Sequence, residues 1–198
     1  LARAERIELL LSIFAKGQRP TGSSDPYALR RAGNGIVQIL WNRGWRLPLQ
    51  SLFGIAATHW VERFPDFKVE ASVLAEDLGQ LLCQRMVSQV EEDGLPSDLV
   101  QAASGAGAST DRVLEDPVDA RDRLLLLKNL RNSGRLQDLQ AVVQRATRLA
   151  DKGDLPHSSL SVEGVVDAAL FDSASEAALL VELEALSPLA LARDYEGL

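Results

Sequence analysis

A single cysteine, Cys83, is the whole thiol content of this 198-residue chain, so it can form no internal disulfide and fits a reducing compartment. No apolar run approaches the roughly 20 residues that a membrane-spanning helix needs, and the first residues carry no secretory pattern. A cytoplasmic protein with no membrane partner is the expectation. The chain also lacks an initiator methionine. It opens inside an amphipathic pattern and stops at Asp194-Tyr195-Glu196-Gly197-Leu198 while still reading as structured, so we read it as an excised piece. Its two histidines, His59 and His157, stand alone. Neither has a second group at ligand spacing, so no metal site and no catalytic residue is expected. The Gly-Lys-Ser/Thr of a phosphate loop is absent too, and the one glycine-punctuated loop follows a helix rather than a strand. No segment alternates at period two, which excludes a sheet protein.

What remains is a helical protein of ordinary apolar content, 46%, with a formal net charge of -7. That charge argues against a wholesale nucleic-acid binder, and DNA is not expected as a partner, but it leaves room for a local basic face. Apolar residues recur at helical spacing over residues 2–16, 26–43, 48–64, about 67–92, 118–131, 136–152 and 173–186. Pro188 reads as the start of a further helix. Gly33 and Gly35 sit inside the second of these helices, each costing about 1 kcal/mol relative to alanine, so a close helix–helix approach is expected there. Residues 103–110 are small and read as a flexible loop. The expectation is an all-α chain: a helical domain over 1–98, a linker over 99–117 and a second helical domain over 118–198.

The most informative stretch is Gly17-Gln18-Arg19-Pro20-Thr21-Gly22-Ser23-Ser24-Asp25-Pro26-Tyr27-Ala28-Leu29-Arg30-Arg31. Gly17 suits the left-handed cap of an incoming helix, Pro20 and Gly22 turn the chain, and Asp25 followed by Pro26 reads as the N-cap and first residue of the next helix. Arg30 and Arg31 then sit in a first turn, where the helix dipole does not favour cations. One is expected to pair with Asp25 or another carboxylate, with an RNA or partner-subunit contact as the alternative.

A charge asymmetry marks the second half. From Val118 to Lys152 the cations Arg121, Arg123, Lys128, Arg131, Arg135, Arg145, Arg148 and Lys152 outnumber the anions Asp119, Asp122, Asp138 and Asp151. On the helix over 136–152, Leu136, Leu139, Val142, Val143, Ala146 and Leu149 form the face expected to be buried. Arg145, Arg148 and Lys152 follow at i, i+3 and i+7 on the other. Such an excess suits phosphate contacts, although two ordinary solvated faces would look the same.

The residues at 17–31 also resemble a signature of the beta subunit family of the bacterial heterotetrameric glycine-tRNA ligase. Its usual form is Pro-Thr-Gly-Ser, one variable residue, then Asp-Pro-Phe-Ala-Leu-Arg-Arg. Thr21, Gly22, Asp25, Pro26, Arg30 and Arg31 carry the match, as structural or interface residues. Further similarities lie at Gly94-Leu95-Pro96-Ser97-Asp98-Leu99-Val100, at Val166-Asp167-Ala168-Ala169-Leu170-Phe171 and at Glu176-Ala177-Ala178-Leu179-Leu180. The resemblance is to the C-terminal part of a longer subunit. It implies that residues 1–98 hold the end of an HD-like region and that 118–198 begin a helical anticodon-binding domain, truncated here. In that domain Arg145 matches the family's Lys-Arg-Val-x-Asn-Ile run, while Gln144 and Arg148 replace its Lys and Asn.

By the same resemblance the partners are tRNA(Gly) and the alpha subunit. ATP is used by the whole enzyme, and this piece holds no catalytic residue and no cofactor. The residues expected to bind tRNA are Lys128, Arg131, Arg145, Arg148 and Lys152. A purely structural module that docks on the alpha subunit without touching RNA is the alternative. Glu5 and Glu8 fall where the HD-like region ends, and surface pairing with Arg3 or Arg6 is expected of them rather than metal binding.

Overall fold

The structure, a computed structural model, describes residues 2–22, 24–25, 27–104, 111–153, 166–195 and 197. Pro26, residues 105–110 of the expected linker and His157 lie outside them. The described elements are helical, and the chain divides into two compact units, Leu1–Leu124 and Leu125–Leu198.

In the first unit, α1 (Ala2–Ala15) buries Leu10, Leu11 and Phe14, the stripe that its spacing marks. It ends where Gly17 turns left-handed at φ 73°, and the Gln18 N–H reaches back to the Ile13 carbonyl at 3.2 Å. Then α2 (Leu29–Arg43) and α3 (Leu49–Arg63) follow, with Gly44 and Phe64 as their C-caps. After one 3₁₀ turn at Pro65–Phe67 comes α4 (Ala71–Glu92), the longest helix, which lies against α1, α2 and α3. Phe53 of α3 and Leu74, Leu78 and Leu82 of α4 are at most 1% exposed. Each such side chain contributes about 1.5–3 kcal/mol by leaving water.

Helix α2 begins three residues later than the Asp25–Pro26 pair suggests. Ala28 takes a left-handed conformation, φ 54° and ψ 36°, just before Leu29. Asp25 still caps, but from outside: its two carboxylate oxygens accept from the Leu29 N–H at 2.7 Å and the Arg30 N–H at 3.0 Å. A side chain long enough to reach over a turn has separated the capping residue from the helix boundary.

Two short helices, α5 (Ser97–Ser104) and α6 (Asp111–Glu115), occupy much of the stretch read as a linker. Leu99, Val100, Ala103, Val113 and Leu114 are all buried, so these segments belong to the packing of the first unit. Next comes α7 (Pro117–Asn132), whose Asp116 carboxylate accepts from the N–H groups of Val118 and Asp119 at its start.

The second unit holds the end of α7, then α8 (Leu136–Ala150) and α9 (Ala174–Ala192). Glu176 opens α9, accepting from the N–H groups of Asp172 and Ser173. The break expected before Pro188 does not occur, because α9 runs through it. Proline costs the ladder one N–H there, and the Ser187 hydroxyl donates to the Leu183 carbonyl one turn back. Among the described residues of α8 and α9 none is buried.

Candidate nucleic-acid interface

The signature loop is held by its own polar groups. Thr21 and Ser24 exchange backbone hydrogen bonds, 2.7 and 3.1 Å, which closes the turn around Gly22. Arg30 donates to the Gly22 carbonyl at 2.6 Å instead of pairing with a carboxylate, while Arg31 is exposed. Arg19, which the sequence reading passed over, pins the loop to α4 by an ion pair with Asp77 and a bond to the Phe14 carbonyl. The signature therefore encodes a fixed junction between α1 and α2, with Asp25 directing the start of α2.

Of the five cations expected to meet RNA, Lys128 is half-buried on α7, and Arg131, Arg145, Arg148 and Lys152 are exposed. No ion pair found among the described residues involves Lys128, Arg145, Arg148 or Lys152. They lie on two helices of the second unit, α7 and α8, and on the turn after α8. Two further cations of the same charge excess are otherwise engaged. Arg121 stacks on the Trp41 ring at 5.2 Å, and Arg123 pairs with Asp119 at 2.8 Å.

The apolar face of α8 departs from expectation. Leu139, Val142, Val143 and Leu149, read as a buried stripe, are 38%, 65%, 61% and 66% exposed. Periodicity reports that a helix has an apolar side. It does not report that a partner covers that side.

A second charged cluster joins the α2–α3 loop to the start of α7. Arg46 reaches Asp116 at 3.2 Å, Asp122 at 2.9 Å and Asp119 at 3.8 Å. Burial works against the Arg46 charge, but the hydrogen bond to Asp116 and the fields of the three carboxylates outweigh it and raise its pKa. Asp122 is pushed above the usual carboxylate range by burial, with Asp119 adding to the rise and Arg46 and Arg121 opposing it. The cluster braces the α2–α3 loop against the start of α7.

The remaining candidates are placed as follows. His59 is exposed on a groove of about 490 Å³ between α1 and α3, with Glu8, Trp60 and Arg63. Cys83 lines a small apolar cavity of about 50 Å³ with Met86 and Val90. Glu5 and Glu8 are exposed and make no ion pair with Arg6, because the Arg6 side chain lies on α2 at Gly35.

Comparison with known proteins now bears on this geometry. The family model described as glycyl-tRNA synthetase beta subunit matches residues 1–105, which takes in the signature loop, α1 to α4 and α5. The chain belongs to that family. Curated relatives extend the match through the second unit. The glycine--tRNA ligase beta subunit of Acaryochloris marina is 40% identical over 200 residues, covering 98% of this chain and 28% of the relative. Those of Trichodesmium erythraeum and a Picosynechococcus strain are each 38% identical, over 95% and 98% of this chain. As a member of the glycyl-tRNA synthetase beta subunit family, the chain spans little more than a quarter of the length of these relatives. Among the described residues no helix is long and apolar enough to cross a membrane.

Proposed function

We propose that this chain serves the cytoplasmic attachment of glycine to tRNA(Gly) as part of a ligase beta subunit, contributing tRNA recognition and assembly rather than chemistry. The reading rests on membership of the family and on the excess of cations along α7 and α8, of which Arg145, Arg148 and Lys152 are exposed. In it, Lys128, Arg131, Arg145, Arg148 and Lys152 grip the sugar–phosphate backbone of the anticodon arm, and the alpha subunit is the protein partner. ATP is consumed by the whole ligase, and no cofactor is held here.

Phosphate contacts of this kind give binding that weakens with salt, each lost contact lowering the slope of log affinity against log salt by about one. Charge reversal at Arg145 and Lys152 in the assembled ligase should therefore weaken tRNA binding about tenfold or more at moderate salt and flatten its salt dependence. Unchanged affinity in both variants would remove the reading.

A second reading draws on the exposed apolar face of α8: a helical module that docks on protein and never touches RNA. It requires those substitutions to leave tRNA binding intact while changes at Val142 and Val143 disturb assembly.

A further inference from the structure

The groove between α1 and α3 carries more polar chemistry on its walls than the packing uses. On the α3 wall His59 and Arg63 are four residues apart and so share one edge. Trp60 and Phe64, also four apart, line it beside them, with ring centroids 5.0 Å from each other. Glu8 of α1 stands on the other wall, next to Ile7 and Leu11. The space enclosed, about 490 Å³, falls within the range of about 300–1,000 Å³ in which small-molecule sites lie.

No ion pair among the described residues involves Glu8, His59 or Arg63. Opposite charges thus line one groove without meeting. Trp60 is only 6% exposed, yet its Nε1 is buried with no hydrogen-bond partner, which a buried indole N–H usually has. Phe64, at 37% exposed, keeps part of its ring uncovered. Arg63 lies in the last turn of α3, where a cation suits the helix dipole. That accounts for its charge but not for a carboxylate on the other wall that stays unpaired.

We infer that this groove binds a guanine nucleotide, with the base against the Phe64 ring, Glu8 accepting from the base edge, and Arg63 and His59 holding the phosphate. A carboxylate has two acceptor oxygens side by side, and guanine offers its N1–H and N2–H side by side to meet them. The guanidinium fork matches phosphate oxygens in the same paired way. Because Glu8 and Arg63 do not pair with each other, the occupant carries its N–H edge and its anion at opposite ends. A nucleotide does so, with the ribose between, whereas a free α-amino acid holds ammonium and carboxylate on one carbon. The same chemistry comes from free guanosine monophosphate (GMP) or from an unstacked guanosine within an RNA chain. The RNA source rests on the reading that the ligase binds tRNA, and the free nucleotide does not.

The test has two arms, each run with E8Q, R63Q and F64A and with R145E/K152E for comparison. GMP is titrated into the 198-residue chain, and a tRNA(Gly) transcript into the assembled ligase. The groove predicts saturable GMP binding, at least fivefold weaker in F64A and R63Q, since stacking on an aromatic ring and a phosphate contact are each lost. AMP should bind less tightly than GMP, and E8Q should abolish the difference. For RNA the decisive variant is E8Q. Removing a negative charge tightens the binding of a polyanion wherever only the general field acts, so a loss of threefold or more marks a contact with a base. A response of GMP alone assigns the site to the free nucleotide, and a response of tRNA alone assigns it to a residue of the RNA. Glu8 and Arg63 are exposed, so E8Q and R63Q still report on the site if F64A fails to fold. If E8Q binds tRNA as tightly as the natural ligase or tighter, and the chain shows no GMP binding that E8Q and R63Q weaken, the inference is overturned, whatever R145E/K152E does. Variants that disturb only the assembly of the subunits overturn it equally, since the groove would then seat a protein segment.

Discussion

The Arg6 guanidinium occupies the place of the missing side chain of Gly35, whereas at Gly33 the space is taken by the stem of Arg85. The two glycines of α2 thus answer to different neighbours. The one at 35 faces the free tip of a long side chain, and the one at 33 faces Arg85 Cγ with Leu82 and Leu81 at 3.5 and 3.7 Å behind it.

Alanine in a helix interior is worth about 1 kcal/mol over glycine. At position 35 the Arg6 tip can swing into solvent, so Gly35→Ala should stabilise the fold by a good part of that amount. At position 33 the Arg85 stem has to shift between packed leucines, and the propensity gain should be largely cancelled. Urea unfolding of the two variants checks the order. A Gly33→Ala protein more stable than Gly35→Ala would show that the helix contact is looser than the geometry implies.

Asp122 offers a pH test with a definite sign. Its pKa is raised in the fold, chiefly by burial, so the folded chain takes up this proton more readily than the unfolded one. The protonated carboxyl is thereby favoured by folding, and its stabilising contribution grows as pH falls through the folded pKa and vanishes at neutral pH. Asp122→Asn should lie within about 0.5 kcal/mol of the natural protein near pH 7, since the side chain is partly exposed and its ion pair with Arg46 is solvent-screened. As pH falls from neutral through the raised folded pKa toward the ordinary aspartate value, the natural protein should gain stability relative to the variant. A relative loss over that interval would mean that the Arg46 ion pair, and not burial, governs the group.

These two cases show what the sequence made legible. The penalty at Gly33 and Gly35 was visible as two poor helix formers inside a good pattern, and a close approach was expected. That one approach would be a helix and the other an arginine tip was not, because Arg6 and Arg85 are brought in by tertiary packing from 29 and 52 residues away. Helices α1, α3, α4 and α7 were readable to within a few residues from apolar spacing and from Gly17 and Gly94, whose left-handed backbones end α1 and α4. Segments α5 and α6 were not, since small residues and short lengths hide the periodicity that Leu99, Val113 and Leu114 nonetheless obey. The basic stripe was legible as composition, but the diversion of Arg121 to Trp41 and of Arg123 to Asp119 depended on neighbours that no spacing rule names.

The exposed face of α8 yields the last expectation. Val142 and Val143 are more than half exposed, whereas Leu78 of α4 is fully buried in the first unit. Truncating a buried leucine to alanine typically costs 2–5 kcal/mol, because the transfer energy is lost and a cavity is left. Replacing an exposed valine with glutamine loses little burial and gains slightly in helix propensity. In the 198-residue chain alone, the Val142→Gln/Val143→Gln protein should therefore unfold within about 0.5 kcal/mol of the natural one, and Leu78→Ala should fall by 2 kcal/mol or more. If the double valine variant were destabilised as much as Leu78→Ala, the face would be covered within the chain itself, and the arrangement of α8 described above would be wrong. If only the assembled ligase were destabilised, the apolar side of α8 would be a docking face, and the basic residues beside it would be left exposed to meet RNA.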